Sequence, residues 1–156
     1  MTKKAKKAVY VDIKNARVDD QRRVMERIIA DGKCPFCSHN LFLYHKKPIM
    51  KEGIFWNLTE NQWPYENTKI HFLAIYKTHA ENLTDISYEA GAELLELFQW
   101  VSLNYGVPGG AMVMRFGDME YSAGSVRHVH AHFLQPDVKS KGYKALMFQI
   151  GRTPGV

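Results

Sequence analysis

Three histidines at alternate positions, His128, His130 and His132, are the residues of this chain best placed to do chemistry together. The segment reads His-Val-His-Ala-His-Phe-Leu. A strand sends successive side chains to opposite faces. The three imidazoles would then line one face, and Val129, Ala131 and Phe133 the other. Each imidazole carries two polar nitrogens, and burying one unpaired costs about 1–3 kcal/mol. Three in a row are an expensive way to build a mere core. Two chemistries account for them. A His-x-His pair can converge on one metal ion. Alternatively, a neutral imidazole can attack an electrophile while its neighbours handle charge and protons. The spacing alone serves both.

The chain has two cysteines, Cys34 and Cys37, in the run Cys-Pro-Phe-Cys. This spacing suits half of a metal site, or redox chemistry, better than a structural disulfide. A closed tetrahedral zinc site needs two more ligands. His39 and His45 are the histidines closest in sequence, and two free thiols on a turn are the plain alternative.

The elements that must hold these residues can be read from periodicity and punctuation. A first helix is expected from 19 or 20 to 30: acids open it, Val24, Ile28 and Ile29 recur at helical spacing, and Gly32 closes it. Residues 41–49 are rich in strand formers, Lys51, Glu52 and Gly53 look like a turn, and 54–59 read as the returning strand. Residues 61–68 form a loop around Trp63, Pro64 and Tyr65, and 70–77 form a strand. Ser87 is placed to cap a long helix over 87–105, with a stripe of Leu94, Leu95, Leu97, Phe98 and Val101 ending at Gly106. Strands are expected at 111–116, 125–134 and 143–150, with a loop over 117–124. Strands outnumber helices and the links are short, which indicates an α+β domain with largely antiparallel pairing.

Composition narrows the class. With 156 residues, 46% of them hydrophobic and 24% charged, the chain suits one domain with one core. No apolar run approaches the roughly 20 residues of a membrane helix. The basic start is not followed by an apolar segment, so a cytoplasmic location is the default. Part of the net charge of +5 sits in Lys3, Lys4, Lys6 and Lys7. Residues 1–18 are therefore expected to be a basic, flexible segment ahead of a domain over 19–156. Four lysines without an aromatic platform make nucleic acid an unlikely partner.

The histidine segment resembles the signature of the histidine-triad superfamily, three histidines alternating with apolar residues, and Ser125 and Val126 resemble the approach to it. A second stretch, from His71 through Lys77 and His79 to Leu83, Thr84, Asp85 and Ile86, is similar to the family's preceding strand and link. The Cys34/Cys37 element resembles the zinc-containing branch. The resemblance covers roughly residues 34–135 in the right order.

That resemblance implies an antiparallel sheet of about five or more strands, a long helix, an N-terminal helix and a homodimer. It implies cleavage at the α-phosphorus of a nucleoside phosphoramidate, a dinucleoside polyphosphate or a similar conjugate, by hydrolysis or nucleotidyl transfer. His130 would be the nucleophile, with His132 beside the phosphate or leaving group and His128 completing the triad. Ser125 would donate a hydrogen bond near the phosphate, and His71 would support the network. Glycines such as Gly124, flanking the preceding loop, would let backbone N–H groups approach the ligand. Zinc would be held by Cys34, Cys37, His79 and His128. The sequence departs from the pattern at Arg127, where an apolar residue is frequent, and at Gly117, near an active-site asparagine. The loop around Trp63 and Glu66 does not match the usual ribose-binding segment. A nucleotide-binding regulatory protein with little turnover is the alternative function.

Overall fold

The computed structural model describes residues 9–155. The expectations on Lys3, Lys4, Lys6 and Lys7 lie outside the described residues. The nine elements that build the domain are α1 (Asp19–Asp31), α2 (Leu41–Tyr44), β1 (Ile49–Glu52), β2 (Trp56–Glu60), β3 (Thr68–Tyr76), α3 (Tyr88–Asn104), β4 (Ala111–Arg115), α4 (Met119–Ser122) and β5 (His130–Pro136).

The five strands form one antiparallel sheet in the order β1-β2-β3-β5-β4. The fold class is α+β, as the sequence indicates. Strand alternation divides the sheet's two faces. Phe72, Ala74 and Tyr76 of β3, with Ala131 and Phe133 of β5, pack with Leu94, Leu97, Phe98 and Val101 of α3 to make the main core. Leu73 and Ile75 take the other face, paired in register with His132 and His130. On that face they pack with Leu41, Phe36 and Ile49. The central strands thus put an apolar core under one side of the sheet and the histidines on the other.

Local chemistry explains the helices. The Ser87 side chain accepts a hydrogen bond from the Ala90 backbone N–H and starts α3. Gly32, at φ +65°, ends α1 in the left-handed conformation that costs glycine least. No helix of the described residues is long and apolar enough to cross a membrane.

Five expectations need correction, the first being the loop over 117–124, which contains α4. Residues 41–49 do not form a strand throughout. Leu41 and Tyr44, three apart, are both buried, and that spacing closes a helical turn. Lys51 and Glu52 belong to β1, and the turn falls later, where the Glu93 carboxylate of α3 accepts the backbone N–H groups of Ile54, Phe55 and Trp56 at 2.5, 2.7 and 3.0 Å. The last ladder strand starts at His130 rather than at 125, because residues 125–127 are engaged by another partner. Val126 bridges Val11, the Asp12 N–H donates to the Ser125 carbonyl, and the Arg127 N–H donates to that of Tyr10. Residues 143–150 form no strand; residues 144–149 line a cavity, where Phe148 makes aromatic and cationic contacts.

The same bridge bears on the N-terminal segment. Val11 is 1% exposed and packs with Met25, Ile28 and Tyr44. Residues 10–12 and Asn15 are thus joined to the approach to β5.

Candidate functional site

The site begins where the two halves of the Cys-Pro-Phe-Cys turn meet the histidines. Cys34 and Cys37 are both buried, and the Asn40 side chain clamps their turn by donating to the Cys34 carbonyl at 2.9 Å. Cys34 Sγ lies 3.3 Å from His128 Nδ1, and Cys37 Sγ lies 3.5 Å from His79 Nδ1 and 3.9 Å from His128 Nδ1. The ligand atoms of all four residues fall within 4.8 Å of one another. A tetrahedral ion with Zn–S near 2.3 Å and Zn–N near 2.0–2.1 Å separates sulfur from nitrogen by about 3.6 Å. The observed spacings bracket that value.

The outer contacts fit a metal as well. His128 Nε2 must donate to the Tyr76 carbonyl, 2.6 Å away, which leaves Nδ1 with its lone pair toward the sulfurs. His79 Nε2 lies 3.1 Å from the Glu81 carboxylate, which fixes the same tautomer there. Burial pushes the Cys34 thiol up to about 12, so its thiolate needs a cation beside it. His39 is exposed, and His45 is committed to Thr59 Oγ1 at 2.8 Å. Neither joins the cluster.

His128 thus stands apart from its two neighbours. It precedes β5, whereas His130 and His132 are in the ladder, on the face shared with Leu73 and Ile75. His130 Nδ1 donates to the His128 carbonyl at 2.7 Å, so its Nε2 keeps a lone pair. The Phe36 ring meets the His130 ring edge-on at 5.0 Å. Burial holds His130 down to about 4; the hydrogen bond to His128 opposes this, and the Arg115 charge adds to it. At neutral pH the ring is uncharged and nucleophilic.

A proton relay can be read through His71. The Tyr65 backbone N–H donates to His71 Nδ1 at 3.1 Å, which makes that nitrogen an acceptor. His71 Nε2 then carries the proton and donates to His132 Nδ1 at 2.8 Å. The Asn61 amide nitrogen also lies 3.0 Å from His71 Nε2, with the amide oxygen accepting from the Trp63 backbone N–H at 2.9 Å. The consequence is that His132 carries its own proton on Nε2. That atom is buried and has no hydrogen-bond partner among the described residues. Burial holds His71 down to about 3 and His132 well below its ordinary range.

His130 and His132 open on a cavity of about 630 Å³. Ser125 lines it too, positioned by the bridge to residues 11 and 12. The Gly124 N–H donates to Ser122 Oγ at 3.2 Å, and its carbonyl accepts from Asn15. His71 stands behind His132.

Sequence reasoning passed over Arg115, Arg17, Tyr65 and Phe148, which also line the cavity. Arg115 is directly opposite His130 in the β4–β5 pairing. Strand register alone puts it there, and no local motif announces it. Tyr65, which the sequence places at the centre of the 61–68 loop without a role at the histidines, stacks on His132 at 5.7 Å with the rings 19° apart.

No family model matches the sequence, and no curated protein matches it. Solved structures do. A histidine triad nucleotide-binding protein from Candida albicans superposes with a TM-score of 0.56 at 19% identity, covering 75% of this chain and 87% of that one. A zinc-bound histidine triad family protein from Mycobacterium smegmatis gives 0.53 at 20% identity, over 72% and 80%. A HIT family hydrolase from Legionella pneumophila gives 0.54 at 20% identity, over 66% and 92%. With its five-stranded antiparallel sheet, its long helix on one face and its histidines on the other, this chain has the histidine-triad fold.

Proposed function

We propose that the protein is a nucleotide hydrolase or nucleotidyl transferase that cleaves at the α-phosphorus of a nucleotide conjugate through a covalent nucleotidyl-His130 intermediate. The observation that carries this reading is the tautomer of His130. Its Nδ1 proton is spent on the His128 carbonyl, so Nε2 keeps its lone pair, and the ring lines the cavity.

The steps balance without an outside reagent other than substrate and an acceptor. The Nε2 lone pair of His130 attacks phosphorus and forms a P–N bond. The bond from phosphorus to the leaving group breaks, and its electrons depart with that group. Water, or another nucleotide acceptor, then attacks phosphorus and gives its proton to solvent; the P–N bond breaks and neutral His130 returns, while an amine leaving group takes the proton it needs from solvent. His132 Nε2–H, without a partner among the described residues, is available to a phosphoryl oxygen as negative charge gathers there. Ser125 supplies a hydroxyl at the same wall. Gly124 acts by letting the loop pack closely: a Cβ there would come within 3.2 Å of Ser122 Oγ.

Zinc held by Cys34, Cys37, His79 and His128 would tie the N-terminal turn to the approach to β5. Four protein ligands leave no position for an activated water, so its part is structural. The location proposed is the cytoplasm and the assembly a homodimer. Support for the dimer comes from apolar surface left uncovered: Leu103 of α3 is 82% exposed and Met112 of the edge strand β4 is 50% exposed.

The test is turnover of adenosine phosphoramidate and diadenosine polyphosphates, with intact-mass detection of a nucleotidyl adduct after acid-free quenching. An adduct on the native chain that is missing from His130→Asn supports the reading. Binding of nucleotides with no turnover of either class would favour the regulatory alternative.

A further inference from the structure

We propose that Arg17 and Arg115 form a second anion subsite beside His132, which makes the preferred substrate a nucleotide whose α-phosphorus is joined to a further phosphate rather than to an amine. This rests on the hydrolase reading for its catalytic consequence, but the subsite itself can be tested without turnover.

The two arginines come from distant parts of the chain, one before α1 and one on β4, and each lies over a ring that touches the same imidazole. Arg17 places its guanidinium carbon 4.2 Å from the centre of the Tyr65 ring. Tyr65 in turn stacks on His132. The Arg115 guanidinium carbon lies 3.9 Å from the centre of the Phe148 ring, and Phe148 meets both His132, at 5.9 Å, and Tyr65, at 5.8 Å. Each guanidinium is held from behind by a carbonyl. Arg17 Nη2 donates to Trp63, and Arg115 Nη1 donates to Ser122. A guanidinium has five N–H donors in a fixed fork that suits phosphate oxygens, so one tether each leaves donors to offer.

Charge at the wall favours a polyanion. Lys14, Arg17, Arg115 and Lys144 line the cavity against a single acid, Glu66. The charges of Arg115 and Arg17 both reach His132, adding to burial and the neighbouring histidines in keeping it neutral. His132 is 4% exposed, and its Nε2 has no partner among the described residues. An oxygen of a bridging or second phosphate would satisfy that donor and both guanidiniums together. An amidate brings only its α-phosphate oxygens to this wall and no second phosphate for the guanidiniums.

In the transfer step, the P–N bond to His130 forms while the bond from phosphorus to the bridging oxygen breaks. That oxygen keeps the electron pair and becomes a terminal phosphate oxygen. The two guanidiniums meet the charge it gains, and no proton donor is required. An amine leaving group must instead be protonated, which the arginines cannot do.

The experiment compares kcat/KM for diadenosine tetraphosphate with kcat/KM for adenosine phosphoramidate, in the native protein, Arg115→Gln, Arg17→Gln and Arg115→Lys. The polyphosphate-to-amidate ratio should fall about 10- to 100-fold in either glutamine variant, the weight of a charge-assisted hydrogen bond. Arg115→Lys should recover part of it. Arg17 sits on the exposed rim, so its variant keeps the test open if Arg115→Gln fails to fold. Titration of inorganic pyrophosphate by calorimetry is the second readout, with binding expected to weaken about tenfold in Arg17→Gln. An unchanged ratio with unchanged pyrophosphate binding overturns the subsite while the hydrolase stands. If the native protein turns over neither substrate, the hydrolase reading falls. Pyrophosphate binding lost with the arginines then still supports the subsite, and pyrophosphate binding indifferent to them overturns it.

Discussion

The Nδ1–H of His130 bonds the backbone carbonyl of His128 at 2.7 Å, while the side chain of His128 points its own Nδ1 at Cys34. One residue therefore serves two sites: its ring belongs to the Cys/His cluster and its carbonyl sets the tautomer facing the cavity. Disorder at the cluster would reach the neighbouring imidazole through a single peptide unit.

His130→Asn should lose several orders of magnitude in turnover while remaining folded, because it removes the atom proposed to form the P–N bond. Circular dichroism and thermal unfolding check the fold, and single-turnover kinetics check the rate. Near-native rates in a folded variant would rule out a covalent role for His130.

Protein purified without chelator should contain about one zinc per chain by elemental analysis. Cys34→Ser with Cys37→Ser should lose metal and thermal stability together, since a metal bound only by the folded state adds to folding free energy. Activity should fall with them, through His128 to His130. A zinc-free protein with both thiols freely titratable and full activity would refute the cluster's structural role.

Stability should decline on acidification. Burial holds His45 down to about 4, with the Lys47 charge adding to it, whereas an unfolded histidine titrates near 6.5. Between those values the unfolded chain binds a proton that the native state refuses. Stability is therefore lost as pH falls from about 6.5 toward 4, at up to about 1.4 kcal/mol per pH unit for each such histidine. His71, held to about 3, acts in the same direction. Urea midpoints should drop between about pH 7.5 and pH 5, and His45→Gln should flatten the slope by one histidine's share. A midpoint that rises on acidification contradicts the assignment.

Glu93→Ala should destabilise the fold by about 1–3 kcal/mol, because it takes the acceptor from three backbone N–H groups at the β1–β2 turn. Glu93→Gln keeps one acceptor oxygen and should fall between. Urea denaturation reads both, and kcat at low temperature should stay near native because the turn is not part of the cavity lining.

Light scattering at micromolar concentration should show twice the monomer mass. Leu103→Glu, at the exposed end of α3, should shift the population toward monomer if that surface is the contact. A native protein that runs only as monomer would remove the dimer.

The sequence by itself determined the elements whose signals are local. The Ser87 cap, the Gly32 stop, the apolar stripe of α3 apart from the exposed Leu95, and the strand before His79 are each set by residues adjacent along the chain or one turn away, and the structure has them. It also identified His128, His130 and His132, because alternating imidazoles are improbable as packing. What it could not show was that His128 leaves the strand. That depends on residues 10–12 binding 125–127, a contact between segments more than a hundred residues apart. The same holds for residues 143–150. Their run of apolar residues suits a strand, but Phe148 packs with Tyr65, His132 and Arg115 at the cavity instead. Arg115 shows the difference most plainly. On its own strand it is one charged residue among methionines, and only the antiparallel register, settled by packing across the whole sheet, sets it opposite His130. Side-chain period and capping are written in neighbouring residues, whereas register and long-range pairing are decided by which surfaces the folded chain can bury together.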